Sequence, residues 1–149
     1  MFLFKASGAT YRKVVRQSKH AFPYSPAEVE GDEFVLLSKN REDCATSERQ
    51  IQHVAKLLAV RPATHGELDA AFPNMNAAER WKYVMELYWG RPLMRPFNLS
   101  EVTDLNFKKY DTVQGFAKLD EADAIAVARY LTATNRELLL EFVNDAARP

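Results

Sequence analysis

The chain's 149 residues, 47% hydrophobic and 27% charged, can fill one core but not two full domains. Twenty Lys and Arg balance twenty Asp and Glu, which excludes a uniformly basic nucleic-acid coat but not a local basic face. The lone cysteine, Cys44, excludes an internal disulfide and a thiolate zinc site, His20, His53 and His65 lack metal-ligand spacing, and no run nears the ~18 apolar residues of a membrane span.

Phe2 to Ser7 has the composition of a short strand, broken by Gly8. Thr10 then predicts the cap of a helix reaching about His20, with Tyr11, Val14 and Val15 on one side and Arg12, Arg16 and Lys19 on another. Pro23 and Pro26 forbid regular structure until Val29. Gly31-Asp32 is a turn signal, and Glu33 to Ser38 is the clearest strand in the chain. Lys39 to Gln50 is too polar for core and predicts a loop. Ile51 to Arg61 alternates imperfectly and predicts a long strand, with a helix as the alternative.

Thr64 to Phe72 has the capping-box spacing of a short helix, Thr64 to Glu67, ended by Pro73 and Asn74. Arg80 to Tyr88 alternates polar and large apolar residues, placing Trp81, Tyr83, Met85 and Leu87 on one strand face. Trp89-Gly90-Arg91-Pro92 predicts a turn, and Leu93 to Phe97 an edge strand because Pro96 cannot donate to a central ladder. Asn98 to Val102 predicts a turn or a single helical turn. Two helices close the chain: Glu121 to about Ala133, capped by Asp120 with Ala124, Ile125, Val127, Ala128 and Leu131 inward, and Asn135 to Ala147 on Leu138, Leu139, Phe142 and Val143.

Catalytic templates fail on this sequence. There is no Gly-x-Gly-x-x-Gly, no phosphate-loop Gly-Lys-Ser/Thr and no Gly-x-Ser-x-Gly elbow. Cys44 lies beside Glu42 and Asp43, which raise a thiol pKa. Asp120, Glu121 and Asp123 resemble a cation site, but a helix N-terminus accounts for them through its dipole. The chain is expected to be no enzyme, with no metal or cofactor. Charge distribution says more. Residues 1–20 carry Lys5, Arg12, Lys13, Arg16 and Lys19 and no acid, a stretch able to dock on a polyanion. Trp81, Tyr83, Tyr88 and Trp89 are interleaved with Arg80, Lys82 and Arg91, a pattern that serves core packing and also suits stacking on bases.

A strand ending Lys5-Ala6-Ser7, a helix, a strand entered through Gly31-Asp32 (Val29 to Leu37), a polar loop, the Ile51 to Val60 strand, a short helical insertion and the strand Trp81-Lys82-Tyr83-Val84 follow in an order that resembles the PUA-like superfamily, in particular its EVE, ASCH and YTH branches. The resemblance covers about residues 1–118. It implies an α+β mixed pseudo-barrel of about five strands with flanking helices, within a single domain whose residues 119–149 form a C-terminal helical appendage. It also implies a module that holds a nucleobase, modified or flipped out, in a pocket beside the barrel. By position, the pocket candidates are Lys5, Ser7, Ser38, Lys39, Asn40, Trp81 and Tyr83, with Arg12, Lys13 and Arg16 on the nucleic-acid backbone. A complete three-aromatic cage of the YTH type is not identifiable among these residues, so methyl-adenosine recognition is not supported.

Three functions follow as expectations. The first is a nucleic-acid-binding module, on DNA or RNA, in the cytoplasm and off the membrane. The second is an interaction or oligomerisation domain using the C-terminal helices. The third is a small nucleoside-directed hydrolase of the ASCH kind, using Lys5 with Glu33 or Glu42.

Overall fold

Phe2, Leu3 and Phe4 are each no more than 1% exposed, so the first strand is buried on both faces from its start. The computed structural model describes residues 1–22, 31–40, 49–64, 66–67, 82–113 and 115–146. Its strands are β1 (Phe2–Ala6), β2 (Lys19–Phe22), β3 (Phe34–Lys39), β4 (Ile51–Pro62), β5 (Tyr83–Phe97) and β6 (Gly115–Lys118). Its helices are α1 (Gly8–Gln17), a short α2 (Lys108–Asp111), α3 (Glu121–Thr134) and α4 (Arg136–Ala146), with a 3-10 turn at Leu99–Glu101. Among the described residues, no helix is long and apolar enough to cross a membrane.

The six strands form one sheet in the order β2-β5-β4-β3-β1-β6, with β1 and β3 parallel and the other pairings antiparallel. β2 and β6 stand at opposite ends of that order, yet the Phe22 and Phe116 rings are 5.7 Å apart. The sheet therefore curls into the expected mixed pseudo-barrel. Aromatic packing closes the seam: Phe116 stacks on Phe2 at 4.5 Å, and His20 lies edge-on between Phe4 at 4.7 Å and Phe22 at 4.8 Å.

Strand alternation sorts the core into two clusters. Phe2, Phe4, Val35, Leu37 and Leu57 pack inside the barrel with Tyr11 and Val14 of α1. Leu3, Leu36, Ile51, Val54 and Phe97 pack outside it with Val127, Leu131 and Leu138 of the last two helices. The inward set of α3 differs from the expectation. Val127 and Leu131 are buried, but Ile125 is 46% exposed and Ala128 is exposed, and Asp123 is buried in their place. α3 turns toward the sheet along 123, 127 and 131, a four-residue spacing that period counting from Ala124 misses.

Other boundaries also moved. α1 begins at Gly8 because Ser7, not Thr10, is its cap, accepting from the Thr10 N–H at 3.4 Å. Ser18 ends it in the left-handed region (φ 56°), so His20 belongs to β2. The stretch Trp89 to Pro92 does not reverse the chain. Trp89 (φ 50°) and Gly90 together face Ala55, between the pairs Val54–Arg91 and Lys56–Tyr88, forming a bulge in an unbroken β5. Turn chemistry here bends a strand instead of ending it. β2 covers only Tyr83 to Glu86, so the later half of β5 is an edge, and Pro96 sits there as expected. Asn135 closes part of that edge: its Oδ1 accepts from the Arg95 N–H at 3.0 Å and its Nδ2 donates to the Arg95 carbonyl at 3.4 Å.

The Gly31-Asp32 turn is present, and Gly31 packs tightly there, since a Cβ would lie 3.0 Å from the Leu58 carbonyl oxygen. The Thr64–Glu67 capping contacts are present at 2.9 and 3.0 Å, whereas the rest of that helix, Pro23 to Val29 and most of the 39–50 loop lie outside the described residues.

Burial holds the His20 imidazole down from the usual 6.5 to about 4, and its Nδ1 is buried without a hydrogen bond. Between pH 6.5 and about 4 the unfolded chain binds a proton at this residue that the folded chain does not. Stability is then fully present above 6.5, is lost as pH falls toward 4, and the slope contributed is at most about 1.4 kcal/mol per pH unit. Urea unfolding across this window is expected to show a shallower acid loss in His20→Phe than in the unsubstituted protein. Parallel losses in the two proteins would assign the acid limb to other groups.

Candidate functional site

Where the apolar rows of β1 and β3 run out, polar residues take over on the same face. Leu3 is followed by Lys5, and Leu36 by Ser38, and the two strands pair Lys5 with Ser38. These residues border a cavity of about 400 Å³, within the roughly 300–1,000 Å³ range of small-ligand pockets. Leu3, Ile51, Leu99, Phe107 and Val113 give it an apolar wall. Lys5, Ser38, Lys39, Asn40, Arg49, Asn98, Ser100, Asp111 and Thr112 give it a polar one.

Each part of the wall is held from behind. The Lys5 ammonium donates to the Tyr110 carbonyl at 2.6 Å. Tyr110 is buried, and its hydroxyl donates to Asp123 Oδ2 at 2.5 Å. Asp123 is fixed in turn by α3, whose cap Asp120 accepts from the Asp123 N–H at 2.9 Å. Burial first, and the Asp123 carboxylate second, push the Tyr110 phenol well above its ordinary pKa. The acids at 120–123 thus cap a helix and anchor Tyr110, and among the described residues no group of three or more His, Cys, Asp or Glu could hold a metal ion.

On the opposite wall the Asn40 N–H donates to the Ala6 carbonyl at 2.8 Å, tying the end of β3 to the end of β1. Ser38 is 1% exposed, and its hydroxyl donates to the Arg49 carbonyl at 2.7 Å, so it serves as a brace for the chain entering β4. The Lys39 ammonium stands 5.7 Å from the centre of the Tyr11 ring. Tyr11 hydrogen-bonds His53 Nδ1, and burial pushes the phenol up to about 12 and the imidazole down. Both are neutral near pH 7, so the contact carries no charge. The rim at Asn98 is set by a reciprocal cap, the Asn98 N–H donating to Glu101 Oε2 at 2.5 Å.

Of the candidates named from sequence, Lys5, Ser38, Lys39 and Asn40 meet at the cavity. Ser7 is engaged in capping α1. Tyr83 pairs with Phe22 and Pro62 and packs on the inner-barrel cluster, away from the cavity. Trp81 lies outside the described residues. Arg12, Lys13 and Arg16 are exposed along α1, which leaves β1 from the cavity end of the sheet.

Glu33 is not brought to Lys5. It binds the Met1 ammonium, with Lys118 3.7 Å away, and Glu42 lies outside the described residues. Among the described residues, Asp111 is the carboxylate that lines the cavity instead. Arg49, Asn98, Phe107 and Asp111 were missed in the sequence. A polar break after an apolar strand row is the signal that marks Lys5 and Ser38, but no local pattern announces which distant loops complete the wall.

No protein-family model matches the chain, and no curated protein sequence matches it. Solved structures do. The ASCH protein of Zymomonas mobilis matches with TM-score 0.59 and 10% identity, over 86% of this chain and 93% of that one. A serine-to-alanine variant of the same protein matches with TM-score 0.60 and 12% identity, over 87% and 94%. A protein of Pseudomonas putida matches with TM-score 0.53 and 10% identity, over 85% and 97%. The chain therefore shares the fold of these ASCH structures, the likeness that the order of sequence features implied.

Tyr110→Phe removes the donor to buried Asp123. The expected cost is about 1–3 kcal/mol in urea unfolding at neutral pH. A loss below about 0.5 kcal/mol would mean that Lys109, 3.7 Å away, holds Asp123 by itself.

Proposed function

We propose that the chain is a nucleic-acid-binding module whose cavity takes one unpaired nucleotide while the exposed face of α1 follows the adjoining backbone. The observation that carries this reading is the convergence of Lys5, Lys39, Arg49 and Asn40 on one cavity walled on its apolar side by Phe107. Cations beside an aromatic wall suit a stacked base with its phosphates outside. The Asn40 amide both donates and accepts, so it can read an adenine or cytosine edge. Asp111 accepts only and suits an exocyclic amine or a sugar hydroxyl.

Taking a base out of a duplex costs a few kcal/mol, so an unpaired, mismatched or modified base enters most cheaply. The finer reading, a flipped or modified base, rests on that asymmetry and on the resemblance of the pseudo-barrel. Arg12, Lys13 and Arg16 are exposed and in the same basic segment, where they add sequence-independent attraction.

Fluorescence anisotropy with short single- and double-stranded RNA and DNA at two salt concentrations tests the reading. Binding is expected to prefer unpaired probes and to weaken steeply with salt. Lys39→Ala is expected to weaken it by about tenfold, and Arg12→Ala with Arg16→Ala to reduce the salt slope by about two. Probes carrying methylated or hydroxymethylated cytosine test the modified-base reading, which predicts a preference that Asn40→Ala abolishes. Absence of binding to every probe at low salt would sink the proposal.

A further inference from the structure

A second cavity opens on the inner side of the sheet, beside the end of α1. It follows from where β2 stops. The Ser18 carbonyl accepts from the Leu87 N–H at 2.8 Å, and β2 pairs only with Tyr83 to Glu86, so β5 runs on past Leu87 without a described strand on that side. The Trp89-Gly90 bulge comes next, and nothing lies within 4 Å of where a Gly90 Cβ would stand. The space left is about 130 Å³, close to the roughly 150 Å³ of an engineered apolar cavity that binds benzene. Val14, Leu37, Ala55 and Leu87 of the inner-barrel cluster wall it, and it shares no lining residue with the first cavity.

His53 also lines this space, and its tautomer follows from its neighbour. Tyr11 is 4% exposed, burial keeps its phenol protonated, and His53 Nδ1 is the partner of its hydroxyl among the described residues. A proton on Nδ1 would leave the buried phenol hydrogen with no acceptor, at the cost of an unmade bond. The phenol therefore donates to Nδ1, and the neutral ring carries its own proton on Nε2. His20 Nδ1 and Arg49 Nε are the side-chain polar atoms buried without a partner among the described residues. His53 Nε2 is not one of them and makes no bond there, so its N–H stays within reach of a ligand. Among the described residues no charged side chain lines the cavity, so a charged guest would lose its hydration without a partner.

We propose that this cavity is a second binding site, for a small uncharged single ring whose hydrogen-bond acceptor, a carbonyl oxygen or a ring nitrogen, meets the His53 Nε2–H. The site does not depend on the nucleic-acid reading, because its residues are its own.

Pyridine and benzene share a shape and differ in one acceptor, which makes them the probes. In NMR near neutral pH, the His53 ring nitrogens are read through the ring's carbon-bound protons, and the free protein is expected to carry the proton on Nε2. Pyridine should move the Nε2 signal together with the methyl signals of Val14 and Leu87. Benzene should move the methyls and leave Nε2 nearly in place.

Gly90 does not use the left-handed backbone, so Gly90→Leu puts a side chain into the open space without backbone strain. It should weaken both probes by about tenfold or more. His53→Leu should weaken pyridine by about three- to tenfold while benzene holds. Should that variant not fold, Tyr11→Phe combined with His53→Leu removes both polar partners and is read in the same way. A proton found on Nδ1, or an Nε2 signal that pyridine leaves in place, would overturn the acceptor site. Methyl shifts undiminished in Gly90→Leu, or no response to either probe at millimolar concentration, would overturn the cavity as a binding site.

Discussion

Two-sided burial of a five-residue strand governs this structure. β1 hydrogen-bonds β3 in parallel and β6 antiparallel, its Phe2 and Phe4 fill the barrel, and its Leu3 faces the terminal helices. Burying each of these side chains is worth about 1.5–3 kcal/mol, so three of them supply a large share of a typical 5–15 kcal/mol net stability. The same strand fixes the site. Because side chains alternate, Lys5 has to follow Leu3 onto the outer face, and the strand's last outward position opens on the cavity.

Bulges do the rest of the placing. β3 and β4 lose register between Leu37 and Ser38, which lets the Ser38 hydroxyl reach Arg49 across the sheet. β4 and β5 slip three times, and each slip adds bend to a pair of strands too long to lie flat. That bend brings Phe22 to Phe116 and turns an open sheet into a pseudo-barrel. The edge left over on β5 is covered where Asn135 presents its side-chain amide to both backbone groups of Arg95, standing in for one peptide of a missing strand.

The parts legible in the sequence were those whose cause is local. β1, β3 and the long β4 announced themselves by runs of apolar residues, α3 by the Asp120 cap, and the Leu99–Glu101 turn by its composition. β2 and β6 were not legible, since four residues such as Lys19 to Phe22 or Gly115 to Lys118 become strand only through the partner beside them. The bulge at Trp89-Gly90 uses residues that also make turns, and only the β4 partner decides between the two outcomes. The site divided in the same way. Lys5, Ser38, Lys39 and Asn40 sit at strand ends that could be counted, whereas Arg49, Phe107 and Asp111 arrive from segments whose distance to β1 depends on the whole fold.

Zero net charge does not argue against a polyanion site once the charges are sorted by place. Glu67 and Glu86 are held by Arg61 at 2.6 and 2.8 Å, and that contact lowers the pKa of both carboxylates, that of Glu67 strongly. Lys19, 3.4 Å from each of them, is drawn into this cluster, so one of the five cations of the N-terminal segment is committed elsewhere. Asp120 and Asp123 are used on a helix cap and on Tyr110. These acids are taken up in ion pairs and a cap, while Lys5, Lys39 and Arg49 converge with Asp111 where β1 and β3 end. Screening limits each of these groups to about 10 Å at 0.1 M salt, so an approaching phosphate responds to that local set and not to the balance of the chain.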